Sequence, residues 1–117
     1  MARVRATLRR ARLREEGERL TCAGVVLDAR RRTVSYRGAA IDLTLREFDL
    51  LEFLMRHPGQ ALSRDAILSN VWGYDFLGGS NVIDVYVRYV RQKLDAQGAP
   101  PLVHTVRGLG YALREPQ

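Results

Sequence analysis

The chain has 117 residues, of which 46% are hydrophobic, so we expect one domain with a real core. It carries 19 basic and 13 acidic residues, a net charge of +6, and a single cysteine, Cys22, which cannot close an internal disulfide. The sequence has no run of 18 apolar residues and no leader-like segment, so we expect no membrane association and a reducing, cytoplasmic location.

The charge is unevenly distributed along the chain. Residues 1–20 hold seven arginines and three glutamates, residues 40–79 are net acidic, and residues 80–117 are net basic. The first segment has apolar residues at helical spacing up to Gly17, which predicts a short helix and linker over residues 1–19. Two interpretations of this segment stay open: a basic arm for nucleic acid, or the end of a helix from a neighbouring domain.

Residues 20–43 predict a small antiparallel meander. β-Branched and apolar runs at residues 25–27, 33–36 and 40–43 are separated by turn-like sequences. The arginine run at 30–32 is either a phosphate contact or a solvated turn.

Two helices are predicted next. Thr44 and Glu47 match a capping box that starts the first helix, which His57-Pro58-Gly59 ends. Its predicted core stripe is Leu45, Phe48, Leu51, Leu54 and Met55, and its predicted outward acids are Glu47, Asp49 and Glu52. Ser63 is expected to cap a second helix of about nine residues, closed by Trp72-Gly73, whose inward residues are Ile67, Leu68 and Val71.

The loop over residues 73–80 is too long for a tight helix-turn-helix turn. Its apolar residues Tyr74, Phe76 and Leu77 either pack on the core or bind a partner. His57, His104 and Cys22 show no metal-ligand spacing, so we expect no metal and no cofactor. Because no paired-carboxylate cleft, phosphate loop or nucleophile–base pair can be placed, we expect no enzymatic activity.

The third predicted helix, from Ser80 or Asn81 to about residue 96, has two distinct faces, with Asp84 in its first turn. One face collects the core residues Ile83, Val87, Val90 and Leu94. The opposite face collects Asn81, Val82, Val85, Arg88, Tyr89 and Gln92. Arginine, amide and aliphatic side chains match base edges in the major groove, while Arg91 and Lys93 suit phosphates. The alternative is a solvated amphipathic helix with two stray apolar residues.

The last segment predicts a β-hairpin. Residues 102–107 alternate as a strand, residues 108–110 turn, and residues 111–113 return. Such a hairpin after a basic helix is typical of a wing, and Arg107 at its tip suits the minor groove. A purely structural hairpin with a solvated arginine is the alternative.

Three motifs, at residues 43–51, 82–94 and 105–111, resemble the effector domain of OmpR/PhoB-type bacterial response regulators over about residues 20–114. Residues 2–10 look like the end of the last receiver-domain helix, so the sequence resembles a fragment of a two-domain regulator without its receiver. The resemblance implies an α+β winged helix-turn-helix over residues 20–117, with an N-terminal four-stranded antiparallel sheet, three helices and a C-terminal hairpin wing.

The resemblance also implies partners. These are promoter DNA with direct repeats, bound by a head-to-tail homodimer that associates weakly when isolated, and RNA polymerase. A sensor histidine kinase would act on the missing receiver. A winged-helix protein–protein interaction module is the alternative function, with Tyr74, Phe76, Leu77 and Tyr89 as its anchors.

The resemblance carries three sets of site residues onto this sequence. The base-reading set is Asn81, Val85, Arg88, Tyr89 and the wing residue Arg107. The DNA-backbone set is Trp72, Tyr86, Arg91, Thr105 and Tyr111, to which the helix pattern adds Lys93. The polymerase-contact loop is Tyr74, Asp75, Phe76 and Leu77. Tyr89 stands where other members often carry arginine, so the family's sequence preference is not transferred at that position.

Overall fold

The computed structural model describes residues 19–73, 76 and 78–115. Within these residues, two antiparallel sheets flank three helical segments, which confirms the predicted α+β winged-helix architecture. The predicted N-terminal helix and almost all of the linker lie outside the described residues, as do Tyr74, Asp75 and Leu77. The first strand begins at Arg19, one residue before the predicted start of the domain.

The N-terminal sheet has four strands in chain order: β1 (Arg19–Cys22), β2 (Val25–Asp28), β3 (Thr33–Tyr36) and β4 (Ala39–Ile41). Two of its turns are the dipeptides Ala23-Gly24 and Arg37-Gly38, in which both residues have positive φ. Two-residue turns of this kind match the twist of paired strands, so each hairpin is tight. The sheet's buried residues, Cys22, Val25, Leu27, Val34 and Ile41, form one wall of the core.

Helix α1 (Leu45–Met55) follows, and the predicted capping box is present. Four of its five predicted core residues are buried, and Leu50 joins them. Leu45 was wrongly predicted as core, because its side chain is 66% exposed. It occupies the first helical position, where a side chain leans back toward the N-terminus and away from the packed turns.

Glu47 was also wrongly predicted to face outward. It is 3% exposed, and it is the only buried charged residue within the described part of the chain. A buried charge requires a partner and hydrogen bonds. Thr44 and Lys93 supply both.

Helix α2 has the predicted extent but a mixed geometry. It is α-helical over Arg64–Ile67 and continues as a π-helical turn over Leu68–Trp72. The Ser63 hydroxyl accepts a hydrogen bond from the amide of Ala66 at 3.0 Å, as predicted for the cap. The carbonyl of Val71 in the π-helical turn accepts a hydrogen bond from Arg46 of α1, which ties the two helices together.

Helix α3 (Asn81–Ala96) packs against α1. Its predicted core residues are all buried: Ile83, Val87, Val90 and Leu94. Ser80 stands at the predicted cap position, but its backbone is helical and its side chain makes no capping hydrogen bond. The core face therefore fixes the rotation of α3 and leaves the opposite face free of the core.

The wing is a sheet of three strands rather than a hairpin alone. Strands β6 (Val103–Val106) and β7 (Gly110–Leu113) form the predicted hairpin, and a two-residue strand, β5 (Leu62–Ser63), pairs with the other edge of β7. The missed strand is too short to show a period. Its pairing attaches the wing to the start of α2.

Candidate nucleic-acid interface

The outer face of α3 presents the predicted base-reading residues to solvent. Asn81 and Arg88 are exposed, and Val85 and Tyr89 are 37% and 43% exposed. Within the described residues, Arg88 makes no ion pair and no side-chain hydrogen bond. An exposed arginine beside an aliphatic and an aromatic side chain can meet base edges without first breaking a contact. Val82, predicted on this face, instead packs partly against the core.

An aromatic row runs from α2 to this face. Trp72 packs edge-on against Tyr86 at 5.4 Å between ring centroids, and Tyr86 packs likewise against Tyr89 at 5.8 Å. The Arg46 guanidinium lies over the Trp72 ring at 5.7 Å. Edge-to-face pairs restrict ring orientation. The row therefore holds Tyr86 and Tyr89 in place before any ligand arrives.

Lys93 is engaged inside the fold. Its Nζ donates to Glu47 Oε1 at 2.6 Å, and the same oxygen accepts the amide of Thr44 at 2.8 Å. Burial raises the pKa of Glu47, but the hydrogen bonds from Lys93 and Thr44 outweigh it and hold that pKa below its usual value. The structure thus places Lys93 against α1 and not freely beside the other predicted phosphate contacts.

The wing tip carries the predicted minor-groove residue. Arg107 is exposed in the turn between β6 and β7, and within the described residues it has no ion pair. Gly108 follows it with φ +76°, a conformation that glycine adopts without strain. Leu109, 43% exposed in the same turn, was not anticipated from the sequence.

Arg91 joins α3 to the outer strand of the wing. Its Nε and Nη2 donate to the Val103 carbonyl at 3.1 and 2.9 Å, and Nη2 also donates to Thr105 Oγ1 at 3.0 Å. The guanidinium lies over the Tyr111 ring at 5.6 Å. The structure therefore brings together three of the predicted backbone contacts, Arg91, Thr105 and Tyr111.

From the sequence, Asp84 was expected only to interact favourably with the dipole of α3. In the structure it lies at the junction of three elements. Arg64 Nη1 of α2 is 2.8 Å from its carboxylate, and the hydroxyl of Tyr111 of β7 donates to it. The Arg64 hydrogen bond holds the pKa of Asp84 below its usual value, against the effect of burial and aided by Tyr111. Burial and the Asp84 carboxylate raise the pKa of the Tyr111 hydroxyl.

Of the predicted polymerase-contact loop, the structure describes Phe76, which is half-buried and packs toward Trp72 at 6.3 Å between centroids. No cluster of histidine, cysteine and acidic side chains suited to a metal occurs among the described residues. No helix in the described ranges is long and apolar enough to cross a membrane.

A helix with an exposed mixed face beside a three-stranded sheet with arginine at its tip defines a winged helix-turn-helix domain. Residues 38–113 match the family described as "Transcriptional regulatory protein, C terminal". The chain belongs to this family and is the DNA-binding output domain of an OmpR/PhoB-type response regulator.

The chain is similar to named regulators over nearly its whole length. It is 46% identical over 116 residues to transcriptional regulatory protein PrrA of Mycobacterium tuberculosis, covering 97% of this chain and 50% of that protein. It is 45% identical over 117 residues to response regulator MprA of Mycobacterium avium, covering 98% and 51%. The chain thus spans about half the length of the curated relatives it matches.

Solved structures agree with this assignment. The DNA-binding domain of Klebsiella pneumoniae RstA, in complex with the RstA box, has a TM-score of 0.73 and 31% identity, covering 83% of this chain and 97% of that one. The DNA-binding domain of CpxR from E. coli has a TM-score of 0.72 and 33% identity, covering 83% and 96%.

Proposed function

We propose that this chain binds promoter DNA sequence-specifically, in the cytoplasm and without enzymatic activity, by placing α3 in the major groove and the wing tip in the adjacent minor groove. The observation that carries the proposal is the exposed face of α3. Arg88, Val85 and Tyr89 are presented together there, on the side opposite the buried face. These side-chain types suit guanine and thymine edges, and Arg107 suits the narrow minor groove.

The predicted contacts divide into two groups of proposed roles. Asn81, Val85, Arg88, Tyr89 and Arg107 read bases. The second group contacts the DNA backbone and fixes its position, and it consists of Trp72, Tyr86, Arg91, Lys93, Thr105 and Tyr111. Within the second group, Lys93 is paired with Glu47, so we expect it to contribute less to phosphate binding than an exposed cation would.

The larger assembly is also a proposal, supported by the resemblance and by relatives of about twice this length. The complete regulator would bind direct repeats as a head-to-tail dimer and contact RNA polymerase through Tyr74, Asp75, Phe76 and Leu77. A sensor kinase would phosphorylate the receiver, and receiver dimerisation would raise the local concentration of the second DNA-binding domain.

The test starts with selection of bound sequences from random duplexes, which supplies a cognate site. Fluorescence anisotropy titrations on that site then compare the unaltered chain with Arg88→Ala and Arg107→Ala. We expect each variant to weaken cognate binding by roughly tenfold, since one good base contact is worth about 1–3 kcal/mol. Log affinity should fall steeply with log salt concentration.

Arg30→Ala is the matched control. Arg30 is exposed in the turn between β2 and β3, remote from α3 in sequence, and its removal costs the same charge. A loss with Arg30→Ala equal to that with Arg88→Ala would show a charge effect without base reading. A flat salt response would overturn duplex binding and favour the protein-interaction module instead.

A further inference from the structure

The Asp84 carboxylate joins three elements at one point. It lies on α3, it is paired with Arg64 at the first position of α2, and it accepts the hydroxyl of Tyr111 on β7. β7 is the central strand of the wing, hydrogen-bonded to both β5 and β6. A single side chain of the interface helix therefore contacts the strand that organises the wing.

Arg91 makes the second tie from the same helix. It lies seven residues after Asp84, which is two helical turns, so the two side chains lie on one face of α3. Arg91 is bonded to Val103 and Thr105 on β6. The guanidinium carbons of Arg64 and Arg91 each lie 5.6 Å from the centre of the Tyr111 ring. Both strands of the hairpin are thus anchored to α3 by specific polar contacts.

Stability alone does not account for this cluster. The side chains of Arg64 and Asp84 are 39% and 40% exposed, and ion pairs so open to solvent contribute little to folding. The apolar anchors of the wing, Leu102, Val103 and Leu113, are buried in the hydrophobic core. The cluster instead contributes to orientation, because hydrogen bonds are directional and therefore restrict the angle between the wing and α3.

We infer that Asp84 is a positioning residue that fixes the wing relative to the interface helix, so that Arg107 and the outer face of α3 engage one duplex as a rigid pair. This inference rests on the proposed function. It goes further in stating that the two DNA contacts are energetically coupled, and that Asp84 couples them without touching DNA.

A double-mutant cycle on the cognate duplex tests the coupling. Arg107→Ala is measured in the unaltered chain and in Asp84→Ala, by anisotropy at fixed salt. We expect the loss caused by Arg107→Ala to be smaller by about threefold or more in the Asp84→Ala background, a coupling of the size found between residues of one network. Asp84→Asn retains an acceptor for the Tyr111 hydroxyl and should recover part of the coupling.

Asp95→Ala is the matched control. Asp95 is an exposed acid on the same helix, and within the described residues its side chain makes no hydrogen bond or ion pair. The losses of binding free energy from Asp95→Ala and Arg107→Ala should therefore be additive. If the Asp84 cycle is also independent, Asp84 does not position the wing and the inference is overturned.

Amide hydrogen exchange gives a readout without DNA. In Asp84→Ala we expect faster exchange across β6 and β7, with exchange in β1–β4 and α1 unchanged. Uniformly faster exchange would indicate general destabilisation and would overturn the positioning role. Failure of the unaltered chain to bind any duplex would overturn the proposed function itself. If the unaltered chain binds but the Asp84 cycle shows no coupling, only the positioning role is overturned.

Discussion

At the scale of single residues, Glu47 shows how one carboxylate can serve two elements. It completes the capping box of α1 by accepting the Thr44 amide, and it holds α3 by accepting Lys93. The capping box follows from a spacing of three residues, which is why the sequence predicts it. The partner 46 positions further along the chain carries no local signal. Burial of Glu47 was therefore missed, and Lys93 was predicted only as a phosphate contact.

This arrangement predicts how stability depends on pH. The folded pKa of Glu47 is depressed. Its contribution is therefore present above the unfolded value of about 4.3 and is lost as pH falls through the folded pKa. Glu47→Gln keeps the shape but removes the charge. We expect it to lower the free energy of unfolding by about 2 kcal/mol at neutral pH, because a charge-assisted hydrogen bond is lost.

Chemical denaturation of both proteins at neutral and acidic pH measures this difference. The difference in free energy of unfolding between the unaltered chain and Glu47→Gln should become smaller on acidification. Asp95→Asn is the control, since Asp95 is exposed and its side chain makes no hydrogen bond or ion pair within the described residues, so this variant should unfold with nearly the same free energy as the unaltered chain at both pH values. A gap that stays constant down to acidic pH would show that the Glu47 charge is not the source.

At the scale of elements, the wing depends on a close approach of two backbones. A Cβ atom at Gly110 in β7 would lie 2.1 Å from the carbonyl oxygen of Leu62 in the paired strand β5. Since a backbone atom cannot yield as a flexible side chain can, Gly110→Ala must separate β5 from β7. We expect it to lower stability by about 2–4 kcal/mol, as overpacking and lost strand pairing combine.

Gly108→Ala provides the contrast for that prediction. Nothing lies within 4 Å of a Cβ there, and the cost is limited to its φ of +76°, which is worth about 1–2 kcal/mol for a non-glycine residue. Thermal denaturation ranks the two variants. Equal losses would mean that the β5–β7 approach is not tight in solution.

The helices were predicted better than the strands of the wing. The two faces of α3 follow from a period of 3.6 residues, and the buried set Ile83, Val87, Val90 and Leu94 was correct. The extent of α2 was also correct, but its π-helical turn, whose Val71 carbonyl accepts a hydrogen bond from Arg46, was not predicted. Asp84 was assigned to the helix dipole because its partners, Arg64 and Tyr111, come from distant parts of the sequence.

At the scale of the whole molecule, the placement of the charges says more about DNA binding than their sum. The net charge of +6 includes seven arginines within residues 1–20, so the total is a poor guide to DNA binding. Position is the better guide: Arg88, Arg91 and Arg107 belong to one helix and its wing, whereas acids gather on α1. Electrostatic attraction of that kind strengthens binding to any duplex, and the exposed face of α3 supplies the discrimination.

Tested by themselves, residues 1–117 should bind a pair of half-sites with little cooperativity, because they span about half the length of the relatives and the proposed dimerisation is assigned to a receiver. We expect duplexes with one and with two cognate half-sites to give similar affinities per site. Joining two copies of the chain by a flexible linker should raise affinity for direct repeats by about 100-fold or more. If the linked protein preferred inverted repeats, the head-to-tail arrangement would be wrong.

The pairing of β5 with β7 has a further consequence, for the order in which the chain folds. Leu62 pairs with Tyr111, so the loop that this contact closes contains the whole of α2 and the whole of α3. Closing this long loop is slow compared with forming the hairpins of β1–β4, in which each strand pairs with the next strand along the chain. During synthesis, which proceeds from the N-terminus, we expect the meander and α1 to form first, and the duplex-binding half to reach its final geometry only after the last strand is made.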